Sequence, residues 1–309
     1  MNNEQTRIVE LLNKKVSSSA YSLFSADHPL KIYLGVNDDG KKSLVVISDS
    51  ERIEVIPSKL IDVKYERHSD NSLSLAFNLL DENYTELFYS FCADVIKNTY
   101  NCDTSEGFLP VVKRYEAWQN FFKRDNRFLS ESEIKGLIGE LLFIERRLLP
   151  EYGADKAIDA YIGIENGHKD FELGETWHEI KAVHNGASSV NISSLEQLDS
   201  ERVGYLEIIT LDEGAMSEEA INLNRLVESV RGMLAGNALL KFDNKLLEKG
   251  YLNDEYYDTY SYIPISAISY RVSGEFPRLT KGNIPNGIIS AKYELDLATI
   301  RDYKELVWI

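Results

Sequence analysis

The sequence predicts an α/β (α+β) protein with two domains, and three patterns support this prediction. Residues 30–80 alternate apolar and polar side chains around the turn-forming segment Asn37-Asp-Asp-Gly, which is typical of antiparallel strands. Residues 132–149 instead carry apolar side chains at helical spacing. Beyond them, strand-like and helix-like segments alternate. We therefore expect a smaller, antiparallel β-rich N-terminal domain over residues 1–105 and a larger domain over residues 106–309.

The N-terminal domain is predicted to contain a small antiparallel sheet and two helices. The helices are expected over residues 3–14 and 86–100, and the strands over residues 31–36, 43–48, 51–56, 61–65 and 72–77. No residue pattern in this domain indicates a reaction. We interpret it as a structural or interaction module, with target recognition as the functional alternative.

Composition narrows the class of protein. Of the 309 residues, 43% are hydrophobic and 27% are charged, which is ordinary for a globular chain. No apolar run approaches the roughly 20 residues of a membrane-spanning helix, and the first residues lack the basic and apolar regions of a signal peptide. Cys92 and Cys102 are the only cysteines, which suits a reducing compartment. We therefore expect a cytoplasmic protein that does not contact a membrane.

The formal net charge of −16 restricts the ligands that the chain can attract. Binding to DNA relies on neutralisation of its phosphates, so a chain this acidic has no general attraction for it. A nucleic-acid-binding role needs basic side chains gathered in one cleft, or a partner that supplies the contacts. Arg271, Arg278 and Lys281, followed by Lys292, form a local basic excess. They are candidates for phosphate contacts, with a solvated loop as the alternative.

A predicted hairpin brings the most reactive residue types together. Asp170 lies on its first strand, Gly174-Glu175 forms the turn, and residues 176–183 form the second strand. Side chains alternate along a strand, so Glu179 and Lys181 point the same way and can face Asp170 across the hairpin. Two carboxylates supply the hard oxygen ligands that suit Mg²⁺ or Mn²⁺. The ammonium could orient or deprotonate a water molecule, or neutralise charge that develops on a phosphate.

This arrangement resembles a known nuclease motif. Asp170, followed nine positions later by Glu179-Ile180-Lys181, is similar to the PD-(D/E)xK pattern, except that Lys169 stands where proline is often found. A helix with the sequence Gly-Leu-Ile-Gly-Glu140 precedes it, and a strand that runs into a helix over residues 190–198 follows it. That order resembles the restriction-endonuclease-like core, a mixed sheet flanked by helices.

The residue sequences of these stretches resemble those of the PD-(D/E)xK motif proteins encoded in bacterial restriction and anti-phage loci. It is clear over residues 118–199 and looser in the tail. It implies a metal-dependent DNA endonuclease that hydrolyses phosphodiester bonds. Asp170, Glu179 and the carbonyl of Ile180 would hold Mg²⁺ or Mn²⁺, and Lys181 would position the attacking water.

The resemblance also implies supporting residues. Glu140 would complete or tune the metal site, with a solvated helical carboxylate as the alternative interpretation. Gln197 and Ser193 would touch the site or the DNA backbone, unless they only cap a helix. His168 would be the histidine closest to substrate. Together with His178 and His184 it suggests zinc, but spacings of ten and six residues do not match a compact zinc motif.

Other functions remain open at the level of sequence. The fold could serve as a catalytically silent scaffold or DNA-sensing subunit inside a multi-protein defence complex, or the enzyme could act on RNA. Partners could therefore be DNA, other subunits of a defence system, or a second copy in a homodimer. The sequence contains no Walker loop, dinucleotide glycine pattern or nucleophile elbow, so no motif supports an ATPase or a serine hydrolase.

The remaining elements of the second domain follow from periodicity and from Gly and Pro positions. A helix over 132–149 should stop at Pro150, and a tyrosine-rich segment over 251–262 should pack on the fold rather than stack on bases. Further helices are expected over residues 111–123, 218–234 and 235–249 and from residue 193, and further strands over residues 155–163, 189–192, 201–211, 263–272 and 287–295.

Overall fold

The computed structural model describes residues 3–14, 20–122, 128–161, 169–214 and 219–309. The chain forms two compact units, Met1–Asp125 and Asn126–Ile309. The first unit therefore extends beyond residue 105, the boundary expected from the sequence. It does so because the helix over residues 109–122 packs within it, where Arg114 pairs with Asp94 and Trp118 contacts Phe91. The roles suggested for the two domains stay predictions.

The first unit is built on a five-stranded antiparallel sheet with the order β1-β2-β3-β5-β4. Its helices and strands, in chain order, are α1 (Asn3–Leu12), β1 (Ala20–Leu23), β2 (Lys31–Val36), β3 (Lys42–Ser48), β4 (Ile61–Arg67), β5 (Leu73–Leu79), α2 (Thr85–Asn98) and α3 (Leu109–Phe122). Single 3₁₀ turns cover Glu82–Tyr84 and Thr104–Glu106. The sheet and its helices agree with the expected β-rich unit.

One predicted strand of this unit is wrong. Residues 51–56, all of which the structure describes, lie outside the sheet, and β1 supplies the fifth strand instead. The carbonyl groups of this segment accept hydrogen bonds from side chains rather than from a neighbouring strand: Tyr65 donates to Ile53 at 3.0 Å, and Gln119 donates to Ile56. Alternating apolar residues alone could not distinguish this extended segment from a strand.

The two faces of the first sheet differ in character. On one face, the side chains of Leu34, Val46 and Phe77 are fully buried in the core. The other face, which includes Val45 of β3 and Ala76 of β5, bears an open cleft of about 630 Å³. Tyr33 on β2 and Lys64 on β4 are among the residues that line this cleft.

The second unit contains a mixed five-stranded sheet with the order β12-β10-β9-β7-β6, in which only the β7–β9 pair is parallel. Its helices and strands are α4 (Glu131–Phe143), α5 (Leu149–Tyr152), α6 (Ala154–Ala160), β6 (Phe171–Leu173), β7 (Thr176–His184), β8 (Ser189–Ile192), β9 (Gly204–Glu213), α7 (Leu223–Gly232), α8 (Gly236–Glu248), β10 (Tyr262–Val272), β11 (Tyr293–Asp296) and β12 (Lys304–Val307). A π-helical turn covers Ile144–Leu148, and 3₁₀ turns cover Leu195–Gln197, Glu255–Thr259 and Arg301–Tyr303.

Helices pack on one face of the mixed sheet, and the two-stranded β8–β11 sheet packs on the other. Ile180 and Ile209 lie in the cluster formed with α4, α7 and α8, whereas Leu206 and Ile208 lie in the cluster formed with β8 and β11. Gly139 of α4 allows a close approach, because a Cβ there would lie 3.3 Å from Ile180 Cγ2. This is the α+β, restriction-endonuclease-like arrangement that the sequence predicts.

Two predictions around Pro150 are wrong. The helix continues to Tyr152, because the π-helical turn before it widens the backbone where proline has no N–H to donate. The strand expected over residues 155–163 is helix α6, which begins after Gly153 at a φ of +75°. Residues 162 and 163 lie outside the described residues. The sequence after Gly153 is rich in alanine, which favours a helix.

Predictions near the C-terminal half are partly corrected. The helix expected from Ser193 is a single 3₁₀ turn, because the carbonyls that a helix would use accept hydrogen bonds from distant side chains, as described below. The strand expected over residues 287–295 is the shorter β11, and β12 was not predicted. The tyrosine-rich segment packs as expected: Tyr251, Tyr257 and Tyr262 are buried. No helix among the described residues is both long and apolar enough to cross a membrane.

Candidate active site

The β6–β7 hairpin places Asp170 beside the Glu179-Ile180-Lys181 segment. Asp170 directly precedes β6, and the antiparallel register sets Phe171 opposite His178, so Asp170 lies next to the following residues of β7. The Oδ2 atom of Asp170 accepts a hydrogen bond from the Ile180 backbone N–H at 2.8 Å. The carboxylate is thereby fixed by the same strand that carries the other two site residues.

Glu179 is the most unusual carboxylate of the site. Its side chain is almost fully buried, with 1% of the residue exposed, and Lys181 Nζ lies 2.9 Å from its Oε1. Its Oε2 is buried and has no hydrogen-bond partner among the described residues. Burial first, and the charge of Asp170 second, raise the pKa of Glu179 to about 8, although Lys181 opposes both effects. A buried carboxylate oxygen without a hydrogen-bond donor is stabilised when a cation binds beside it.

Glu140 lies in this cluster and is not a solvated helical carboxylate. It projects from α4 with only 9% of the residue exposed. Its Oε1 accepts a hydrogen bond from Lys249 Nζ at 2.8 Å, and its Oε2 accepts one from the Tyr161 hydroxyl at 2.5 Å. Burial raises the pKa of Glu140, and the ammonium of Lys249 opposes that shift. The Lys249 ammonium also lies 4.0 Å from Asp170 Oδ1.

Gln197 contacts the site lysine directly. Its Oε1 accepts hydrogen bonds from Lys181 Nζ at 3.1 Å and from the Ser193 backbone N–H at 2.7 Å. The amide therefore fixes the lysine to the loop after β8. Ser193 contributes its backbone N–H to this contact, whereas the cap position of the 3₁₀ turn is Ser194, whose side chain makes no capping hydrogen bond.

Sequence reasoning passed over Lys169, the residue at the usual proline position. It is buried, and its Nζ donates hydrogen bonds to the carbonyls of Glu196 at 2.6 Å, Gln197 at 2.7 Å and Asp199 at 3.3 Å. The same ammonium lies 3.8 Å from the centroid of the Trp177 ring. Burial lowers the pKa of Lys169 to about 8. Lys169 thus attaches the loop that carries Gln197 to the β6–β7 hairpin.

The basic residues proposed for phosphate contacts have different surroundings. Arg278 donates to the carbonyls of Leu198 at 2.5 Å and Ser200 at 3.4 Å, so its guanidinium stabilises the same loop. Lys281 is exposed and lies 3.5 Å from a Glu196 carboxylate oxygen. Arg271 lies on β10 in an exposed pair. Arg271 and Lys281 are accessible to a phosphate, whereas Arg278 is largely occupied by the protein.

The two described histidines of this region, His178 and His184, do not come together at the hairpin. His178 points to the opposite face of β7, where its Nδ1 lies 2.8 Å from Glu207 Oε1. Glu207 is fully buried and its Oε2 also accepts hydrogen bonds from Ser269 at 2.6 Å and Trp308 at 3.0 Å. His184 is exposed at the end of β7, and His168 lies outside the described residues. The His178–Glu207 pair is therefore part of the core.

The oxygen ligands of the site fit a hard divalent cation. Among the residues that the structure describes, no three His, Cys, Asp or Glu side chains form a ready metal cluster. The unpartnered Glu179 oxygen, with Asp170 fixed on the same strand, nevertheless forms an oxygen donor set of the kind that Mg²⁺ and Mn²⁺ prefer. Glu140 has both its oxygens occupied by Lys249 and Tyr161.

A mixed sheet whose β6–β7 hairpin carries Asp170, Glu179 and Lys181 in this register defines a PD-(D/E)xK protein of restriction-endonuclease-like fold. The chain belongs to the family described as "Putative PD-(D/E)XK family member, (DUF4420)", whose match covers residues 4–298. The match confirms the predicted superfamily and extends well beyond residues 118–199, where the resemblance was clearest. No curated protein and no solved structure matches the chain.

Proposed function

We propose that this protein is a metal-dependent DNA endonuclease that hydrolyses phosphodiester bonds, and that it acts in bacterial restriction or anti-phage defence. The observation that carries the proposal is the buried, unpartnered Oε2 of Glu179, whose other oxygen pairs with Lys181 and whose strand neighbour Ile180 holds Asp170, in the register of the family motif. A protein that kept this motif only for its fold would gain nothing from a buried carboxylate oxygen without a donor.

Under this proposal, Asp170, Glu179 and the main-chain carbonyl of Ile180 hold Mg²⁺ or Mn²⁺. When bound, such an ion supplies Lewis acidity to the scissile phosphate and makes a water molecule more acidic. Lys181, held by Gln197, orients the attacking water and stabilises negative charge on the phosphate. The water would lose a proton to the surrounding solvent as its oxygen bonds to phosphorus, and the bond to the sugar oxygen would break, with that leaving oxygen taking up a proton from solvent. Glu140 tunes the site from α4.

The charges of the site set an order of binding. Among the described residues, Glu140, Asp170 and Glu179 pair with two ammonium groups, those of Lys181 and Lys249. The Lys169 ammonium also acts on Glu179, but its hydrogen bonds go to the carbonyls of the loop. A phosphate that approaches this cluster is repelled unless another cation is present, since the chain as a whole is also acidic. Metal binding is therefore expected to precede productive DNA binding.

Removal of divalent ions tests the proposal. Purified protein should nick supercoiled plasmid in Mg²⁺ or Mn²⁺ and should lose this activity in EDTA, as measured on agarose gels. Matched single-stranded RNA, incubated under the same conditions, distinguishes the substrate class, because cleavage of RNA alone would replace DNA with RNA in the proposal. The absence of cleavage, together with calorimetry that detects no Mg²⁺ or Mn²⁺ binding with or without DNA, would exclude this metal-dependent enzyme.

The second candidate is a catalytically silent scaffold or DNA-sensing subunit of a defence complex. The observation that favours it is the pairing of Glu140 with Lys249, which already neutralises one of the three carboxylates. DNA binding that appears only after partner proteins are added, without cleavage in any metal, would support this candidate. A cytoplasmic location and a homodimer remain expectations of the nuclease proposal.

Gln197 should act through Lys181. Replacing Gln197 with leucine should lower kcat about tenfold, with a smaller effect on KM for DNA, because Lys181 loses the acceptor that fixes its Nζ. Gln197→Glu keeps an acceptor oxygen and should retain more activity, as measured by steady-state cleavage of a labelled duplex. An unchanged kcat in Gln197→Leu would contradict this role of the Gln197 amide.

A further inference from the structure

Lys249 directly follows α8 and is not part of the PD-(D/E)xK motif. Its Nζ lies 2.8 Å from Glu140 Oε1 and 4.0 Å from Asp170 Oδ1, and 19% of its side chain is exposed. The carboxylate of Glu179 is also close enough to stabilise the charged form of the ammonium. One buried positive charge therefore lies among all three acids of the site.

The position of Lys249 is fixed by the structure of its helix end. Its backbone N–H donates to the Lys245 carbonyl at 2.9 Å, and the Gly250 that follows has a φ of +86°. Leu246 and Leu247 are buried and hold this turn in the core. The C-terminal end of a helix also favours a positive charge. The ammonium is thus held in place before any ligand arrives.

The hydrogen bonds of the three carboxylates differ in what they leave for a metal. Glu140 has donors on both oxygens, from Lys249 and Tyr161. Asp170 uses Oδ2 for a backbone N–H, which leaves Oδ1 facing the ammonium at 4.0 Å. Glu179 alone has a buried oxygen with no donor among the described residues. An oxygen is therefore available to a metal ion on Glu179, whereas both oxygens of Glu140 already accept hydrogen bonds.

We propose that the Lys249 ammonium takes the place of a second metal ion, so that the centre binds a single divalent cation between Asp170 and Glu179. Two-metal sites hold their ions about 4 Å apart and share carboxylates between them. In this protein, the carboxylate of Glu140 on α4, which a second ion would need, is instead neutralised by the Lys249 ammonium, a cation that is part of the chain. Lys249 thereby fixes Glu140, supplies permanent positive charge, and limits the number of ions. This inference rests on the proposed function of the site.

Calorimetric titration with Mn²⁺ tests this inference without relying on activity. The wild-type protein should bind one ion at the site. Lys249→Met should bind a second ion, or bind the first at least about tenfold more tightly, because a repelling charge is removed. Lys249→Arg keeps the charge and should bind one ion like the wild type. Lys245→Met, on the same helix, provides the control for loss of a lysine that does not pair with Glu140.

The outcomes separate this inference from the function on which it rests. Two ions bound by the wild-type protein, or unchanged stoichiometry and affinity in Lys249→Met, would overturn the role of Lys249 while leaving the nuclease proposal in place. Binding of no ion by the wild type and the variants would overturn both. Thermal unfolding of each variant verifies folding, and Lys249→Gln replaces Lys249→Met if the methionine variant does not fold.

Discussion

Replacing Lys181 with methionine, or Asp170 with asparagine, is expected to lower the rate of plasmid cleavage by about 10²- to 10⁴-fold. The Lys181 ammonium lies 2.9 Å from Glu179 and is held by Gln197, so it is positioned to act on the reacting water and phosphate. Asp170 would lose a charge that a divalent ion needs. Single-turnover cleavage at saturating metal measures both effects.

Metal binding should distinguish the two variants. Lys181→Met should retain divalent-ion binding in calorimetry, because the lysine is not a ligand, whereas Asp170→Asn should lose most of it. Two matched controls replace residues of the same type in surface ion pairs of the second unit, Lys135→Met and Asp159→Asn, and both should cleave like the wild type. Activity that is equal in all five proteins would come from a contaminating nuclease and would contradict the site assignment.

Replacing Gly204 with alanine is expected to lower the free energy of unfolding of the second unit by about 3 kcal/mol. A Cβ at this first residue of β9 would lie 1.9 Å from Cε2 of the Trp177 ring. Trp177 cannot move aside, because it is fully buried, donates to the Arg202 carbonyl at 3.2 Å and lies under the Lys169 ammonium. Overlap with a fixed aromatic ring must displace the strand.

Urea denaturation followed by tryptophan fluorescence measures this loss. Gly232→Ala is the matched control, because a Cβ there meets no atom within 4 Å and alanine favours helix by up to about 1 kcal/mol. It should leave the unit equally stable or slightly more stable. A Gly204→Ala protein as stable as the wild type would mean that the strand and ring adjust at little cost, contrary to the packing described here.

The parts of the fold that the sequence predicted are those that local patterns determine. Alternation along β7 places Glu179 and Lys181 on one face, and helical spacing predicts the buried stripe of α4. Glu140 was expected at the site only from the family resemblance. Residues 51–56 show the limit of such patterns, since their alternation is real but their carbonyls bind side chains instead of a strand. Local periodicity indicates which conformation a segment prefers, but it does not indicate which other segment will supply its hydrogen-bond partners.

The missed site residues depend on contacts between distant segments. Lys249 lies 109 residues from its partner Glu140, and nothing in the sequence around it distinguishes it from the neighbouring lysines of α8. Lys169 was noted only as a departure from the motif, because its three carbonyl partners lie about thirty residues ahead on a loop whose path the sequence did not predict. Its departure from proline was the only available signal.

The loop over residues 196–200 changes how the charge of the whole protein should be counted. Lys169 and Arg278 together donate hydrogen bonds to the carbonyls of all five residues of this loop. Lys169 donates to Glu196, Gln197 and Asp199, and Arg278 donates to Leu198 and Ser200. These two cations contribute to the net charge of −16 but neutralise backbone dipoles inside the fold. The positive charge that remains for a polyanion is smaller than composition suggests, which makes a bound metal or a basic partner the main source of attraction for DNA.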